Sequence, residues 1–235
     1  MNPLGKLYGV GIGPGHPDLL TLRAVEIFKS VDVIYTVKGP KTELSISEQV
    51  VMSVENLTAK IVPLIFTMSK NMEERMAQIQ TNADIIRKDL EKGLNTAFAV
   101  LGDTMTYSTF GYILQNIQES DIRPDIEIVP GITSFALLAA EANEVLVENN
   151  ATLHVIPAYK NKSVDLMEFP PNSTTVLMKT YKSREAILDR LSQEEDIQVV
   201  YGEKLGSDEQ YITNSIQDIQ SRPETYLSLM LVKKR

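Results

Sequence analysis

The residues that first suggest a binding site are four glycines in the segment LYGVGIGPGHPDLLT, which begins at Leu7. They follow an apolar run typical of a buried strand, and a helical pattern comes after them. Such a turn can bring backbone N–H groups close to a phosphate. The dinucleotide pattern G-x-G-x-x-G fails in every register, however, because its third glycine falls on Pro14, His16 or Asp18. The turn therefore permits close backbone approach, but phosphate is not its obvious ligand.

Three segments combine glycine with hydroxyl side chains at the predicted ends of strands. They are GVGIGPGHPDLLT at residues 9–21, VLGDTMTYSTF at residues 100–110 and VPGITSFALLAA at residues 129–140. Ligand sites of α/β proteins form beyond the carboxyl ends of parallel strands. One such turn alone is a weak indication, but three in this order predict a shared binding site.

Composition excludes several kinds of chemistry. The 235 residues include no cysteine and only two histidines, so we expect no disulfide, no cysteine nucleophile and no metal site. The formal net charge of −8 disfavours nucleic acid as a partner. No apolar run reaches the ~18 residues of a membrane span. The first residues, MNPLGKLYG, lack the apolar core of a signal peptide. A cytoplasmic protein is the expectation.

Predicted strands and helices alternate, which is typical of an α/β fold with a largely parallel sheet. The predicted strands are Lys6–Ile12, Val31–Val37, Lys60–Phe66, Thr96–Leu101, Ile126–Val129, Thr152–Ile156, Thr174–Lys179, Gln198–Tyr201 and Tyr226–Val232. The predicted helices are Thr21–Ser30, Ser45–Glu55, Ser69–Lys92, Tyr107–Gln118 and Ile132–Asn143. The segment RPDIEIVPG separates two α/β sets, so we predict two domains, residues 1–128 and residues 129–235.

The long predicted helix carries an apolar stripe at helical spacing. The stripe consists of Met72, Met76, Ile79, Ala83, Ile86 and Leu90. It predicts that the helix packs either on the sheet or on a partner subunit.

The three segments resemble the motifs of the tetrapyrrole (corrin and porphyrin) methylase family, whose members use S-adenosylmethionine. VGIGPGHPDLLTLRA is similar to its N-terminal signature, GDTMTYSTF to its GDP loop and VPGITSF to its third motif. TVLMK at residues 175–179 and TYLSLMLV at residues 225–232 resemble strands of its C-terminal domain. The resemblance thus covers essentially the whole chain. It implies two α/β domains, a ligand site in the cleft between them, and a homodimer.

Within the family, YST and PGITSF are most similar to the C20-methyltransferases of cobalamin synthesis. These enzymes act on precorrin-2 or its cobalt-bearing counterpart, and the sequence does not indicate which. By resemblance, S-adenosylmethionine would contact Pro14, Leu101, Gly102, Asp103, Thr106, Thr133, Ser134, Met178 and Leu205. Tyr107 would line the tetrapyrrole trough. No residue stands out as a general base, so the catalytic residue stays unknown.

The chain departs from the family at Thr104, where proline usually follows the GD pair. Threonine restores an N–H group and frees φ, which predicts a less rigid loop.

The tetrapyrrole implied by the resemblance carries acetate and propionate groups, whereas the chain is formally −8. Local cations must therefore bind these carboxylates, and Lys38 and Lys41, after the second predicted strand, are the best candidates. Three alternatives remain. They are another corrin or porphyrin methylase, a diphthine synthase that modifies a protein side chain, and an NADP-dependent oxidoreductase in which Lys38 reads the 2′-phosphate. The failed glycine registers disfavour the last.

Overall fold

The computed structural model describes residues 3–67, 69, 71–157 and 164–235. The chain forms two compact units, Met1–Thr133 and Ser134–Arg235. The predicted domain boundary, between residues 128 and 129, lies just before this division.

The first unit contains a parallel sheet. Its strands are β1 (Leu7–Gly11), β2 (Val33–Lys38), β3 (Lys60–Ile65), β4 (Thr96–Val100) and β5 (Ile126–Val129). The strand order is β3-β2-β4-β1-β5, and the pairings described within this sheet are all parallel. β1 thus lies between β4 and β5, and the carboxyl ends of the strands meet at one edge.

Helices cover both faces of this sheet because its central strands are apolar on both sides. The helices are α1 (Leu22–Ser30), α2 (Ile46–Met52), α3 (Met72–Glu91) and α4 (Phe110–Glu119). In β4, Phe98 packs in the cluster that contains α3 and α4. Ala97 and Ala99 pack in the cluster that contains α1 and α2. The alternation follows from the two-residue period of a strand.

Local capping explains where these helices begin. The hydroxyl of Thr21 accepts a hydrogen bond from the amide of Ala24 at the start of α1. Ser45 and Glu48 form a capping box at α2. Asn71 caps α3, which therefore begins at Met72, later than the predicted Ser69.

The predicted stripe on α3 divides into two parts. Its last four members are buried in the core. Met72 and Met76 are exposed by 61% and 45% of their surface. The helix therefore packs on the sheet with only part of the stripe.

The second unit contains a mixed sheet. Its strands are β6 (Thr152–Ile156), β7 (Ser173–Met178), β8 (Ile197–Glu203), β9 (Tyr211–Thr213) and β10 (Ser228–Lys234). The order is β6-β7-β10-β8-β9, with only the β6–β7 pair parallel among the pairings described. The expectation of a largely parallel sheet is therefore wrong for this unit. The reason is that β10 inserts between β7 and β8 in the opposite direction.

The helices described in the second unit are α5 (Ser134–Glu141), α6 (Arg184–Leu191) and α7 (Ile216–Ser221). α6 and α7 pack with Leu177, Tyr201 and Met230 in one core cluster. α6, α7 and β9 are not among the elements predicted from the sequence.

Candidate active site

The three glycine-containing segments meet at one edge of the first sheet, because β4, β1 and β5 are parallel neighbours. The amide of Gly13 lies 3.2 Å from the carbonyl oxygen of Gly102. The amide of Gly102 lies 2.7 Å from the carbonyl oxygen of Gly13. The turn after β1 and the loop after β4 thus form one hydrogen-bonded structure.

Glycine is required where these segments touch. A Cβ atom on Gly131 would lie 2.2 Å from the carbonyl oxygen of Gly102. A Cβ atom on Gly11 would lie 2.6 Å from the amide nitrogen of Gly131. A side chain at either position would force the segments apart.

Gly102 differs from these two glycines. Its φ is +80°, in the left-handed region that favours glycine, and a Cβ there would meet no described atom within 4 Å. The space beside its α-carbon is therefore open. A ligand can lie directly against the backbone there, which fits the predicted contact of Gly102 with the methyl donor.

The Asp103 carboxylate organises the same loop. One oxygen, Oδ1, accepts a hydrogen bond from the amide of Gly131 at 3.1 Å. The other, Oδ2, accepts from the amide of Met105 at 3.0 Å and from the hydroxyl of Thr106 at 2.8 Å. Burial raises the pKa of Asp103, but these hydrogen bonds outweigh it and leave the pKa below its ordinary value. A carboxylate has about four acceptor sites, so these three bonds leave about one for the predicted contact with the donor.

Thr104 is buried, with 0% of its surface exposed. Its hydroxyl donates a hydrogen bond of 2.5 Å to the carbonyl oxygen of Val129, at the end of β5. The sequence predicted a less rigid loop here, but the structure places a tether at this position. No local pattern could have revealed the bond, because its acceptor is brought near only by the sheet order.

Tyr107 ends this loop in an uncommon conformation. Its φ is 51°, and 49% of its surface is exposed. Left-handed residues other than glycine persist where their surroundings enforce them, and they cluster at functional sites. The exposed ring is compatible with the predicted lining of the tetrapyrrole trough.

The other predicted contacts of the first unit lie at the same edge or in the same segments. Pro14 is buried in the turn after β1, and Leu101 is half-buried directly after β4. Thr133 is half-buried at the end of the unit. β2, the neighbour of β4, ends at Lys38, which is half-buried, and Lys41 follows as an exposed side chain. Lys38 is thus the last residue of a strand at the sheet edge that carries the glycine turns, and Lys41 follows it three residues later.

The predicted donor contacts in the second unit are Ser134, Met178 and Leu205. Met178 pairs with Leu229, which pairs with Gly202 on the next strand. A Cβ on Gly202 would lie 2.7 Å from the side chain of Leu138 in α5 and 3.1 Å from that of Leu205. Cross-strand partners point to the same face of a sheet. Met178 and Leu205 therefore share the face on which α5 packs, and Ser134 is the first residue of that helix.

Left-handed backbone also flanks these contacts. Lys179, with φ 57°, directly follows Met178, and Lys204, with φ 50°, directly precedes Leu205. Both lie at the ends of strands, where such conformations re-aim the chain. Neither lysine carries a sequence signal for this conformation.

A charged network beside Leu205 was also not predicted. Glu203 is 3% exposed, and its carboxylate accepts hydrogen bonds of 2.8 Å from the hydroxyl of Tyr201 and 2.8 Å from Nε of Arg222. Burial raises the pKa of Tyr201, and the bond to Glu203 raises it further. The Arg222 guanidinium lies 3.6 Å from the ring centroid of Tyr211. These contacts fix the end of β8 at Glu203, and Leu205 comes two residues later.

Histidine has a structural role in the first turn. The Nδ1 atom of His16 accepts a hydrogen bond of 3.2 Å from the amide of Asp18 and caps a short 3-10 helix, Pro17–Leu19. Among the described residues, no three histidine, cysteine, aspartate or glutamate side chains group closely enough to hold a metal ion. None of the described helices combines the length and apolarity needed to span a membrane.

The sequence is similar to known proteins over nearly its whole length. The family model of the tetrapyrrole (corrin/porphyrin) methylases matches residues 6–220. The cobalt-precorrin-2 C(20)-methyltransferase of Salmonella typhimurium is 31% identical over 98% of this chain and 97% of its own. A probable cobalt-precorrin-2 C(20)-methyltransferase of Methanocaldococcus jannaschii is 31% identical over 97% of this chain and 96% of its own.

The fold has a solved counterpart in the uroporphyrin-III C-methyl transferase of Thermus thermophilus, crystallised with S-adenyl homocysteine. The TM-score is 0.68, the sequence identity 19%, and 97% of each chain is covered. This likeness concerns the fold alone. With the family model matching most of the sequence and two relatives matching nearly all of it, the chain belongs to the tetrapyrrole (corrin/porphyrin) methylase family.

Proposed function

We propose that this protein is an S-adenosylmethionine-dependent methyltransferase of cobalamin synthesis that methylates C20 of precorrin-2 or of its cobalt-bearing counterpart. The observation that carries the proposal is the loop after β4. Hydrogen bonds to both neighbouring segments hold this loop, and it leaves an open, left-handed glycine at its start. Two relatives with the cobalt-precorrin-2 C(20)-methyltransferase name, aligned over nearly the whole chain, support the choice of substrate.

The residues at the site suit a donor without phosphate. When bound, S-adenosylmethionine supplies an electrophilic methyl group on a sulfonium sulfur. Transfer forms a bond from C20 to this methyl carbon, breaks the carbon–sulfur bond and releases the C20 proton, so S-adenosylhomocysteine remains. Holding two reactants in line can lower the barrier by several kcal/mol without any cysteine, metal or serine nucleophile.

The chain's own groups would serve mainly to bind and orient. The backbone at Gly102 offers close contact, and the Asp103 carboxylate keeps the loop in place through Gly131, Met105 and Thr106. In the second unit, Met178 and Leu205 would supply apolar contacts for the donor. No described side chain stands out as the base that accepts the C20 proton.

The tetrapyrrole would contact Tyr107, Lys38 and Lys41. The exposed ring of Tyr107 offers an apolar surface for the macrocycle. The two lysines offer positive charge for its carboxylates on a chain whose formal net charge is −8.

We further propose that the protein is a cytoplasmic homodimer. Sedimentation equilibrium tests the dimer, and a monomer at assay concentration would contradict it.

Ligand binding and product analysis test the function. Titration calorimetry should detect S-adenosylhomocysteine binding and no NADP binding, and the reverse result would overturn the proposal. Mass spectrometry of reactions with precorrin-2 and with cobalt-factor II should show the addition of one methyl group to at least one of them. Methylation of elongation factor 2 instead would identify a diphthine synthase.

A further inference from the structure

We propose that Thr104 is a positioning residue for donor binding, whose hydroxyl holds the loop Leu101–Tyr107 in the conformation that binds the donor. The inference rests on the proposed function and gives Thr104 a role that the sequence did not predict, since the sequence indicated only a less rigid loop at this position.

The bond made by Thr104 joins two strands that do not pair with each other. Thr104 follows β4, and its acceptor, the Val129 carbonyl, ends β5 at a distance of 2.5 Å. β1 lies between these strands in the sheet. The loop therefore crosses the end of β1 and is fastened on the far side by a side-chain hydroxyl.

Three consecutive residues fasten this crossing. Gly102 bonds through its backbone to Gly13, and Asp103 bonds through its carboxylate to the Gly131 amide. Thr104 supplies the third link and is the most deeply buried of the three, since both other residues are partly exposed. The proline that is usual at this position in the family has no hydroxyl group and could not form this bond.

The fastened loop contains the groups assigned to ligand binding. The open side of Gly102 comes two positions before Thr104, and the left-handed Tyr107 comes three positions after it. Without the hydroxyl, the loop would sample additional conformations in the free protein. The apparent Kd equals the intrinsic Kd divided by the fraction of molecules that are competent to bind. Because the additional conformations lower this fraction, the apparent Kd for the donor would rise. Chemistry in the bound state, once the loop is ordered, would be preserved.

The test uses Thr104→Val, which keeps the side-chain shape and removes the hydroxyl, and Thr104→Ser, which keeps the hydroxyl. We expect Thr104→Val to raise the Kd of S-adenosylhomocysteine and the KM of S-adenosylmethionine about threefold to tenfold, the range of one lost buried hydrogen bond. The kcat at saturation should change less than about twofold. Thr104→Ser should restore the Kd to near the unmodified value. Thr104→Ala removes both the hydroxyl and the γ-methyl group but adds no bulk, and it provides a second test if Thr104→Val does not fold.

Thr174→Val is a matched control for the loss of a buried hydroxyl. Thr174 is 2% exposed, and its hydroxyl donates a hydrogen bond of 2.6 Å to the Leu146 carbonyl in the second unit. Thr174→Val should lower thermal stability comparably and leave donor affinity unchanged. An unchanged Kd in Thr104→Val, an equal Kd increase in Thr174→Val, or a failure of Thr104→Ser to restore affinity would each overturn the positioning role. An unmodified protein that binds no S-adenosylhomocysteine would instead contradict the proposed function.

Discussion

Replacement of Gly102 by alanine separates a ligand contact from a conformational requirement. The φ of +80° disfavours any residue with a Cβ, and the left-handed region costs such a residue about 1–2 kcal/mol. The added methyl group meets no described atom within 4 Å, so no steric term adds to this cost. We expect Gly102→Ala to lower the free energy of unfolding by about 1 kcal/mol, through backbone strain alone.

Donor affinity should fall by more than this strain explains. The new methyl group would occupy the open space that we assign to the donor. We expect the Kd of S-adenosylhomocysteine to rise at least about tenfold, which corresponds to about 1.4 kcal/mol. Gly102→Val, with a larger side chain in the same space, should raise it further.

Gly93→Ala is the matched control. Gly93 follows α3 with a φ of +84°, so alanine there suffers a similar backbone strain. Its Cβ would also lie 3.1 Å from the Pro3 carbonyl oxygen, which is a tight contact. Gly93→Ala should lower the free energy of unfolding at least as much as Gly102→Ala does, and it should bind S-adenosylhomocysteine as tightly as the unmodified protein. Urea unfolding and titration calorimetry measure both quantities on each variant. If Gly102→Ala binds S-adenosylhomocysteine as tightly as the unmodified protein, the open space is not the donor site.

Three further predictions concern charged side chains. The pKa of Asp103 lies below its ordinary value of 3.8, so its stabilising effect is present above that pH and is lost as the pH falls through the folded-state pKa. Asp103→Asn should therefore lower stability at neutral pH and flatten its decline in acid, as measured by urea unfolding over an acid pH series; an unchanged pH profile would contradict this. Raising salt to physiological strength, where the Debye length is roughly 8 Å, should raise the tetrapyrrole KM several-fold, and Lys38→Ala with Lys41→Ala should flatten that dependence. A double variant with the salt response of the unmodified enzyme would show that the lysines do not bind substrate. Glu203→Ala leaves the buried Tyr201 hydroxyl without its acceptor and should lower the free energy of unfolding by about 1–3 kcal/mol. Glu209→Ala, in an exposed pair with Lys204, should change it little, and equal losses would refute the contrast.

Strand and turn chemistry made much of the first unit predictable. The apolar run TAFAVL, followed by Gly102, predicted both β4 and the turn after it, because buried parallel strands are continuously apolar. The sequence also placed three glycine segments at strand ends. It could not predict that β1 would lie between β4 and β5, and therefore could not predict the bond between Thr104 and Val129.

The second unit was less predictable because its pairing is not local. β10 lies between β7 and β8, although it comes last in the chain, and strand propensity carries no information about direction. α7 has six residues and β9 has three, too few for a periodic pattern to stand out. The hydrogen bonds of Glu203 with Tyr201 and Arg222 depend on that same pairing.

The position of β1 has a consequence for the order of events during synthesis. Leu7–Gly11 is synthesised well before its two sheet neighbours, Thr96–Val100 and Ile126–Val129. Until the first of these emerges, β2 and β3 can pair with each other while β1 has no native strand beside it. An apolar segment exposed for so long is a natural target for chaperones. The glycine turn and its site can assemble only after most of the first unit has left the ribosome.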